Sequence, residues 1–284
     1  MPERRKRLRE LLKKDNILIV PGAYDAISAR MVEKLGFDAV YMTGGGVCVA
    51  QYGLPDHGLL TLTEMVECAS RIVKTVSVPV ISDADTGYGG VLNVERTVKE
   101  FESAGVCGIH IEDQVSPKRC GHLQGKEVVS QREMIDKIKA AVEARKDRNF
   151  LIIARTDARS PLGFEEAVKR GQVYLEAGAD MVFPEALESK EEFKIYSKEV
   201  NGDLLANMTE FGKSPYISAK EFEQMGYKIV IFPVTTLRMA MKAVFHVLKE
   251  IKETGSQKDS VPLMYTRDEL YELIGYDEHL KKYV

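Results

Sequence analysis

Short runs of β-branched and other apolar residues recur along the chain, separated by stretches of helical period. They read ILIVP (17–21), DAVYMT (38–43), VPVISD (78–83), CGIHIE (107–112), FLIIAR (150–155), DMVFPE (180–185), LLANM (204–208) and KIVIFP (228–233). Helical periodicity fills 62–76, 91–104, 131–146 and 164–177 between them. A local phrase repeats at four junctions, as EKLGFDAVY, ESAGVCGIH, EAGADMVFP and EQMGYKIVI. In each, a helix ends, a glycine follows and a strand begins. Gly36, Gly105, Gly178 and Gly226 therefore stand where a left-handed residue closes a helix without Cβ strain. Apolar strands that alternate with helices predict a parallel sheet covered on both faces. Eight of them predict a closed (β/α)8 TIM-type barrel of the α/β class. The rival is an open, doubly wound sheet. The first strand is followed by PGAYDA and not by a GxGxxG turn, which weakens that rival. No Pro/Gly-rich linker divides the chain, so the expectation is one barrel domain over 1–284, with 254–284 as a C-terminal helical extension.

Composition matters here for what it excludes. With 40 Lys and Arg against 43 Asp and Glu, the net charge is −3, which leaves no bulk positive field for nucleic acid. The longest apolar runs fall far short of the roughly 20 residues of a membrane span. The opening MPERRKRLRELLKK lacks a signal-type apolar core and reads as a solvated first helix. Four cysteines, Cys48, Cys68, Cys107 and Cys120, show no CxxC and no zinc spacing, so reduced thiols in a cytoplasmic protein are expected.

In a barrel, chemistry gathers at the C-terminal ends of the strands. Six successive strand ends here are polar: Thr43-Gly44-Gly45-Gly46, then Asp83 and Asp85, then His110, Glu112 and Asp113, then Arg155 and Asp157, then Glu185, then Asn207, Thr209 and Glu210. Asp83 and Asp85 are two apart and repel unless a cation lies near them. All-oxygen donors favour a hard cation, Mg2+ before Mn2+, and Glu112 can complete the set. The plainer reading is an Asx turn into the Gly-rich segment. The glycines at 44–46 either expose backbone N–H groups to an anion or form an ordinary loop. His110 alternates with apolar neighbours and is as well explained as a core histidine. Arg155 is costly to bury alone and calls for a carboxylate, either a structural one such as Glu185 or one on a substrate.

The stretch SPKRCGH, 116–122, follows the fourth strand in a long loop. Cys120 has Lys118, Arg119 and His122 within three positions, and cations so close are expected to favour its thiolate. A reactive cysteine on a loop hinged by Gly121 suits a lid that closes on a substrate. The other three cysteines lie in apolar settings and read as structural.

These motifs also occur together. KRCGH (118–122), with TGGG (43–46), GLPD (53–56), DADTGYGG (83–90), HIEDQ (110–114), ARTDA (154–158), FPEA (183–186) and NMTEFG (207–212), resembles the isocitrate lyase and phosphoenolpyruvate mutase superfamily. Within it the 2-methylisocitrate lyase branch is the nearest match, almost end to end. The resemblance implies a barrel whose last helix swaps onto a neighbouring subunit, in a homotetramer. It implies Mg2+ near Asp85, assisted by Asp83 and Glu112, with Asp56 close by. Cys120 is implied as the catalytic acid on a mobile loop, with Lys118, His122 and Arg155 beside it. Thr43, Gly44, Gly45, Gly121, His122, Arg155, Glu185, Asn207, Thr209 and Arg238 correspond to ligand-contacting positions. Two departures are Thr43, where serine is common, and His57, where an apolar residue is usual.

The implied reaction is a retro-aldol cleavage of a small 2-hydroxy di- or tricarboxylate, with neither nucleic acid nor membrane as partner. For 2-methylisocitrate it yields pyruvate and succinate, a proton donor such as Cys120 quenching the carbon left behind. Phe183 and Pro233, at two strand ends, are candidates to receive the extra methyl group. The alternative is 2,3-dimethylmalate cleavage. Oxaloacetate decarboxylase and phosphonomutase relatives usually carry other residues in place of KRCGH.

Overall fold

The computed structural model describes residues 1–276, so the last eight residues of the expected 254–284 extension lie outside the described residues. The chain opens with α1 (Pro2–Leu12), β1 (Leu18–Ala23), α2 (Ala26–Lys34), β2 (Val40–Met42), α3 (Gly44–Tyr52) and α4 (Leu62–Thr75). It continues through β3 (Val80–Asp83), α5 (Val91–Ala104), β4 (Gly108–Glu112), α6 (Gln131–Ala144) and β5 (Leu151–Thr156). Then come α7 (Arg159–Leu162), α8 (Phe164–Glu176), β6 (Met181–Pro184), α9 (Lys190–Glu199) and β7 (Leu205–Asn207). The last elements are α10 (Ala219–Gln224), β8 (Ile229–Phe232), α11 (Thr235–Thr254), a 3-10 turn (Lys258–Leu263) and α12 (Arg267–Ile274).

All eight expected strands are present, and every ladder is parallel, in the order β6-β5-β4-β3-β2-β1-β8-β7. The circle closes between its two ends: Val182 bridges Leu204 in parallel, and the Val182 N–H donates to the Asp203 carbonyl at 3.0 Å. The four repeat glycines adopt φ of 82°, 92°, 104° and 91°, the left-handed geometry their helix ends require. Helix starts carry local signals too. Thr61 and Glu64 cap α4 reciprocally, as Ser218 and Glu221 cap α10.

Two packing layers follow from the period-2 alternation of each strand. One side of the strands packs outward against the helices, in a cluster that includes Val80, Ile109, Ile152, Val182 and Val230. The other side fills the barrel with Leu18, Val20, Tyr41, Ile81, Ile153, Met181, Phe183, Leu205 and Ile231. Leu8, Leu11 and Leu12 of α1 belong to this inner cluster. The first helix is therefore not simply solvated, as its charge suggests: one face plugs the N-terminal end of the barrel. Its leucines recur at helical spacing beneath the basic residues, and Arg5 is buried with them.

The run at 44–46 also departs from expectation. It is the first turn of α3, capped by Thr43, whose Oγ1 accepts from the Gly46 N–H at 3.2 Å. At the other terminus, α12 folds back on α2 of the same chain, with Arg30 Nη1 donating to the Leu273 carbonyl at 3.2 Å. The long α11 leaves Met239, Met241, Val244, Phe245, Leu248 and Ile251 exposed. Among the described residues no helix is long and apolar enough to cross a membrane.

Candidate active site

The sheet register sets the polar strand ends side by side. Asp83 is the ladder partner of His110, Glu112 of Arg155, and Arg155 of Phe183. Above them the segment 113–130 arches over the mouth of the barrel, its stem joined by an antiparallel bridge from Gln114 to Val128. Beneath it lies a cavity of about 200 Å³. Thr43, Gly45, Asp56, Asp83, Lys118, Cys120, Gly121, His122, Arg155, Glu185, Asn207, Thr209 and Arg238 line it, together with Tyr41, Phe183 and Pro233. Residues from six strand ends and two loops thus meet in a single space. Its volume is below the roughly 300–1,000 Å³ of drug-sized sites, as suits a small acid.

The anionic side is built from four carboxylates. Asp83 Oδ1 accepts from the Asp85 N–H at 2.9 Å, so the Asx turn is real. Asp83 Oδ2 accepts from the Gly44 N–H at 3.2 Å, and a Cβ on Gly44 would meet that oxygen at 2.5 Å. The glycine is what lets the helix start approach the carboxylate. Asp85 holds φ of 46°, a strained value for a residue with a side chain. Burial pushes the Asp83 and Asp85 carboxyls up, opposed by the Lys118 ammonium. Burial pushes that of Glu112 up far more strongly, opposed by Arg155 and Lys118.

Lys118 is the cation among them. Its Nζ pairs with Asp56 and lies 2.8 Å from Asp85 Oδ1. Burial works against its charge, but Asp85, Glu112 and Asp56 more than offset that and hold it protonated. Arg155 stands on the opposite wall. Nε donates to Asp157 Oδ2 at 2.9 Å, Nη1 lies 3.3 Å from Glu112 Oε2, and Nη2 lies 3.5 Å from Glu185 Oε1. Its guanidinium covers the Phe183 ring at 5.1 Å. Both the structural partner expected for Arg155 and an open cavity edge are therefore present.

Cys120 is the one cysteine not fully buried, and all four are unpaired. The thiolate expected from its basic neighbours does not form. Burial raises the thiol's pKa, and Glu185 and Asp56 add to the rise. Lys118 is spent on its carboxylates, and the Arg119 side chain reaches out to the Gln124 carbonyl. The sulfur keeps its proton. Beside it, His122 Nδ1 accepts from the Lys213 N–H at 3.0 Å, which leaves the ring proton on Nε2, 3.3 Å from Glu185 Oε1. Asn207 Nδ2 donates to Glu185 Oε2 at 3.1 Å. Burial would raise the Glu185 carboxyl, but Arg155 and His122 hold it low and ionised. Arg238 reaches the rim, 3.5 Å from Glu210.

A divalent cation is accommodated by what these groups lack. Both oxygens of buried Glu112 make no hydrogen bond and face only the Arg155 guanidinium at 3.3 Å, while Asp85 Oδ1 is met by the Lys118 ammonium at 2.8 Å, a charge that a cation could replace. Unmet carboxylate oxygens in a buried site call for a cation, and an all-oxygen set selects a hard one. Among the described residues no three His, Cys, Asp or Glu side chains already converge as a metal cluster. The Lys118 ammonium lies against Asp85 instead.

Two participants, Tyr41 and Lys126, were not singled out from the sequence, and Asp157 was read only as a polar strand end. Tyr41 Oη lies 2.8 Å from His110 Nε2, and both are buried. Burial, with Arg155, depresses His110 to about 3, so the ring is neutral. Tyr41 is hidden in an apolar run, and only its inward parity on the strand marks it. Asp157 anchors Arg155, although its own strand-end position was visible. Lys126, buried beneath the loop, carries no sequence signal beyond one lysine in a polar segment.

A family model described as phosphoenolpyruvate phosphomutase matches residues 8–252. A 2-methylisocitrate lyase of Aeropyrum pernix is 54% identical over 97% of this chain and 88% of its own. A 2,3-dimethylmalate lyase of Eubacterium barkeri is 47% identical over 96% of this chain and 94% of its own. The solved structure of a phosphonopyruvate hydrolase with oxalate and Mg2+ superimposes with a TM-score of 0.88 at 31% identity, covering 98% of this chain and 97% of that one. Both the carbon–carbon lyases and the phosphonate enzymes share this barrel, and the chain belongs to the superfamily of phosphoenolpyruvate mutase and isocitrate lyase.

Proposed function

We propose that this protein is a Mg2+-dependent carbon–carbon lyase that splits 2-methylisocitrate into pyruvate and succinate. The observation that carries this reading is the Cys120 thiol lining the same cavity as Arg155 and the Asp56, Asp83 and Glu185 carboxylates. The similarity to a 2-methylisocitrate lyase at 54% identity supports it.

Asp85, with Asp83 and Glu112 behind it, would hold the cation. When bound, Mg2+ supplies Lewis acidity toward the substrate's 2-hydroxyl and adjacent carboxylate. The rest falls to the chain's own groups. Arg155 and the rim Arg238 attract the other carboxylates, and the loop excludes water around them. As a general base takes the hydroxyl proton, a carbonyl forms and the carbon–carbon bond breaks; that proton later returns to the Cys120 sulfur. The electron pair stays on the succinate carbon, and the Cys120 sulfur gives up its proton there. A thiol kept neutral by burial is suited to that donation. Phe183 and Pro233 supply apolar wall for the methyl group.

The 47% identity to a 2,3-dimethylmalate lyase favours a second reading in which that smaller acid is the substrate. Isocitrate lacks one methyl group, worth about 1–3 kcal/mol of discrimination, whereas 2,3-dimethylmalate keeps that methyl and lacks a carboxylate, so the two comparisons test different contacts. The test compares kcat/KM for 2-methylisocitrate, isocitrate and 2,3-dimethylmalate with Mg2+. The first should exceed the others by at least about tenfold. A win for dimethylmalate replaces the substrate and leaves the lyase; no cleavage of any of them ends the reading.

We read the chain as a single barrel domain with a tail from 254. Its exposed α11 stripe, including Met239 and Phe245 at 68% and 67% exposure, faces a second copy in a homotetramer joined by helix swapping. Four unpaired cysteines suit a cytoplasmic setting.

A further inference from the structure

The loop over the cavity meets the barrel at three places. Lys118 reaches Asp56 and Asp85, and His122 meets the Lys213 N–H and Glu185. Lys118, Asp56, His122 and Glu185 all line the cavity. The third contact lies outside it. Lys126 is not among the cavity-lining residues, and its side chain is fully buried. Its Nζ donates to the Gly121 carbonyl at 2.5 Å and to Asp157 Oδ1 at 2.8 Å.

The two partners of Lys126 have different duties. Gly121 adjoins Cys120 and is packed so tightly that a Cβ there would overlap Glu185 Oε1 and Arg155 Nη2. Asp157 is tied into a buried network: its N–H donates to Asp113 Oδ1 at 2.8 Å, and Asp113 Oδ2 accepts from Thr156, Arg170 and Tyr174. From that fixed position Asp157 grips Arg155 through Nε and through Nη2 at 3.2 Å. One carboxylate therefore orients the arginine and, through one ammonium, the backbone next to the cysteine.

We infer that Lys126 is a positioning residue for the lyase reaction: it latches the 116–128 loop to Asp157, so that closing the loop places Cys120 against the cavity and Arg155 together. The stem does not depend on it. Gln114 pairs with Arg119 through both its amide groups, and the Val115 N–H donates to the Glu127 carbonyl at 2.9 Å. Without Lys126 the stem persists while the tip loses its tie to the wall and opens more often.

The inference rests on the lyase reading for its kinetic arm alone. Lys126→Met keeps the length of the side chain and removes the ammonium. Its first readout is the rate at which N-ethylmaleimide modifies each cysteine in the metal-free protein, followed by mass spectrometry. Cys120 is expected to react at least about tenfold faster than in the wild type, with Cys48, Cys68 and Cys107 still protected. Its second readout is kinetic, with kcat for 2-methylisocitrate falling about 10- to 100-fold and KM changing less. Cys120 labelled at the wild-type rate, or kcat unchanged, overturns the latch. If all four cysteines react together the variant has unfolded, and Lys126→Gln, which retains an N–H for the Gly121 carbonyl, is measured by the same two criteria. A wild type that cleaves none of the acids sinks the lyase reading, yet the labelling rates still decide the latch.

Discussion

The two ends of the barrel bury charge in opposite ways. At the N-terminal end, α1 inserts Leu8 among the inward-facing residues, and Arg5 goes in with it. Every charge there is met. Arg5 reaches Glu102, Asp147 and the Val106 carbonyl, and Glu102 also accepts from the Lys146 and Asp147 N–H groups at 2.9 and 2.8 Å. At the C-terminal end, the buried side-chain atoms left without a hydrogen-bond partner include those of Asp85, Tyr88, His110, Glu112, His122 and Asn207. Among the described residues, none of the atoms in that condition belongs to the N-terminal end. A folded chain satisfies its buried polar groups unless something else is to satisfy them. The first end is built for stability and the second for a ligand.

Substitutions at the two ends should separate these roles. The largest effect is expected from Cys120→Ser, which removes the proton donor: kcat for 2-methylisocitrate should drop about 10²- to 10⁴-fold, with pyruvate still bound in equilibrium titrations. Gly121→Ala comes next. Its Cβ would overlap Glu185 and Arg155, so the loop cannot settle, and kcat/KM should fall by about 10²-fold at an unchanged Tm. A smaller effect concerns protons. Burial raises the Glu112 carboxyl, so Mg2+ binding there is expected to be coupled to proton release. The apparent Mg2+ affinity should then rise as pH rises, by up to about tenfold per unit, and calorimetric heats should differ between buffers of different ionisation enthalpy. A pH-independent affinity would mean that Glu112 is already ionised. Leu8→Ala, at the other end, should leave kcat alone while costing about 2–5 kcal/mol of stability in denaturant titration. A loss of turnover at 25 °C in that variant would break the division between the ends.

Legibility followed the range of the interaction. The strands and the four helix-ending glycines were readable because each depends on a few neighbouring residues. Most of the candidate site was readable for a related reason: parallel strands bring their C-terminal ends to one rim, so polar strand ends in sequence become neighbours in space. Asp83, Glu112, Arg155 and Glu185 met in this way. The misreadings concerned partners far apart in the chain. Lys118, Arg119 and His122 predicted a thiolate at Cys120, but Lys118 is taken by Asp56 and Asp85, and burial decides the thiol's state. The basic first helix hid a buried face whose partners are the strands of the whole barrel.

The amino-acid order alone determined the eightfold alternation, the side of the barrel that carries the polar residues, and the cysteine that stands over them. Those features depend on periodicity and on residue type, both of which are local. Only the folded arrangement decided which charges are compensated and which are left over, because desolvation and pairing depend on three-dimensional distance. Arg155 shares Asp157 with a lysine 29 positions before it, and buried Glu112 makes no hydrogen bond, facing the same Arg155 guanidinium at 3.3 Å. No spacing rule along the chain contains that information.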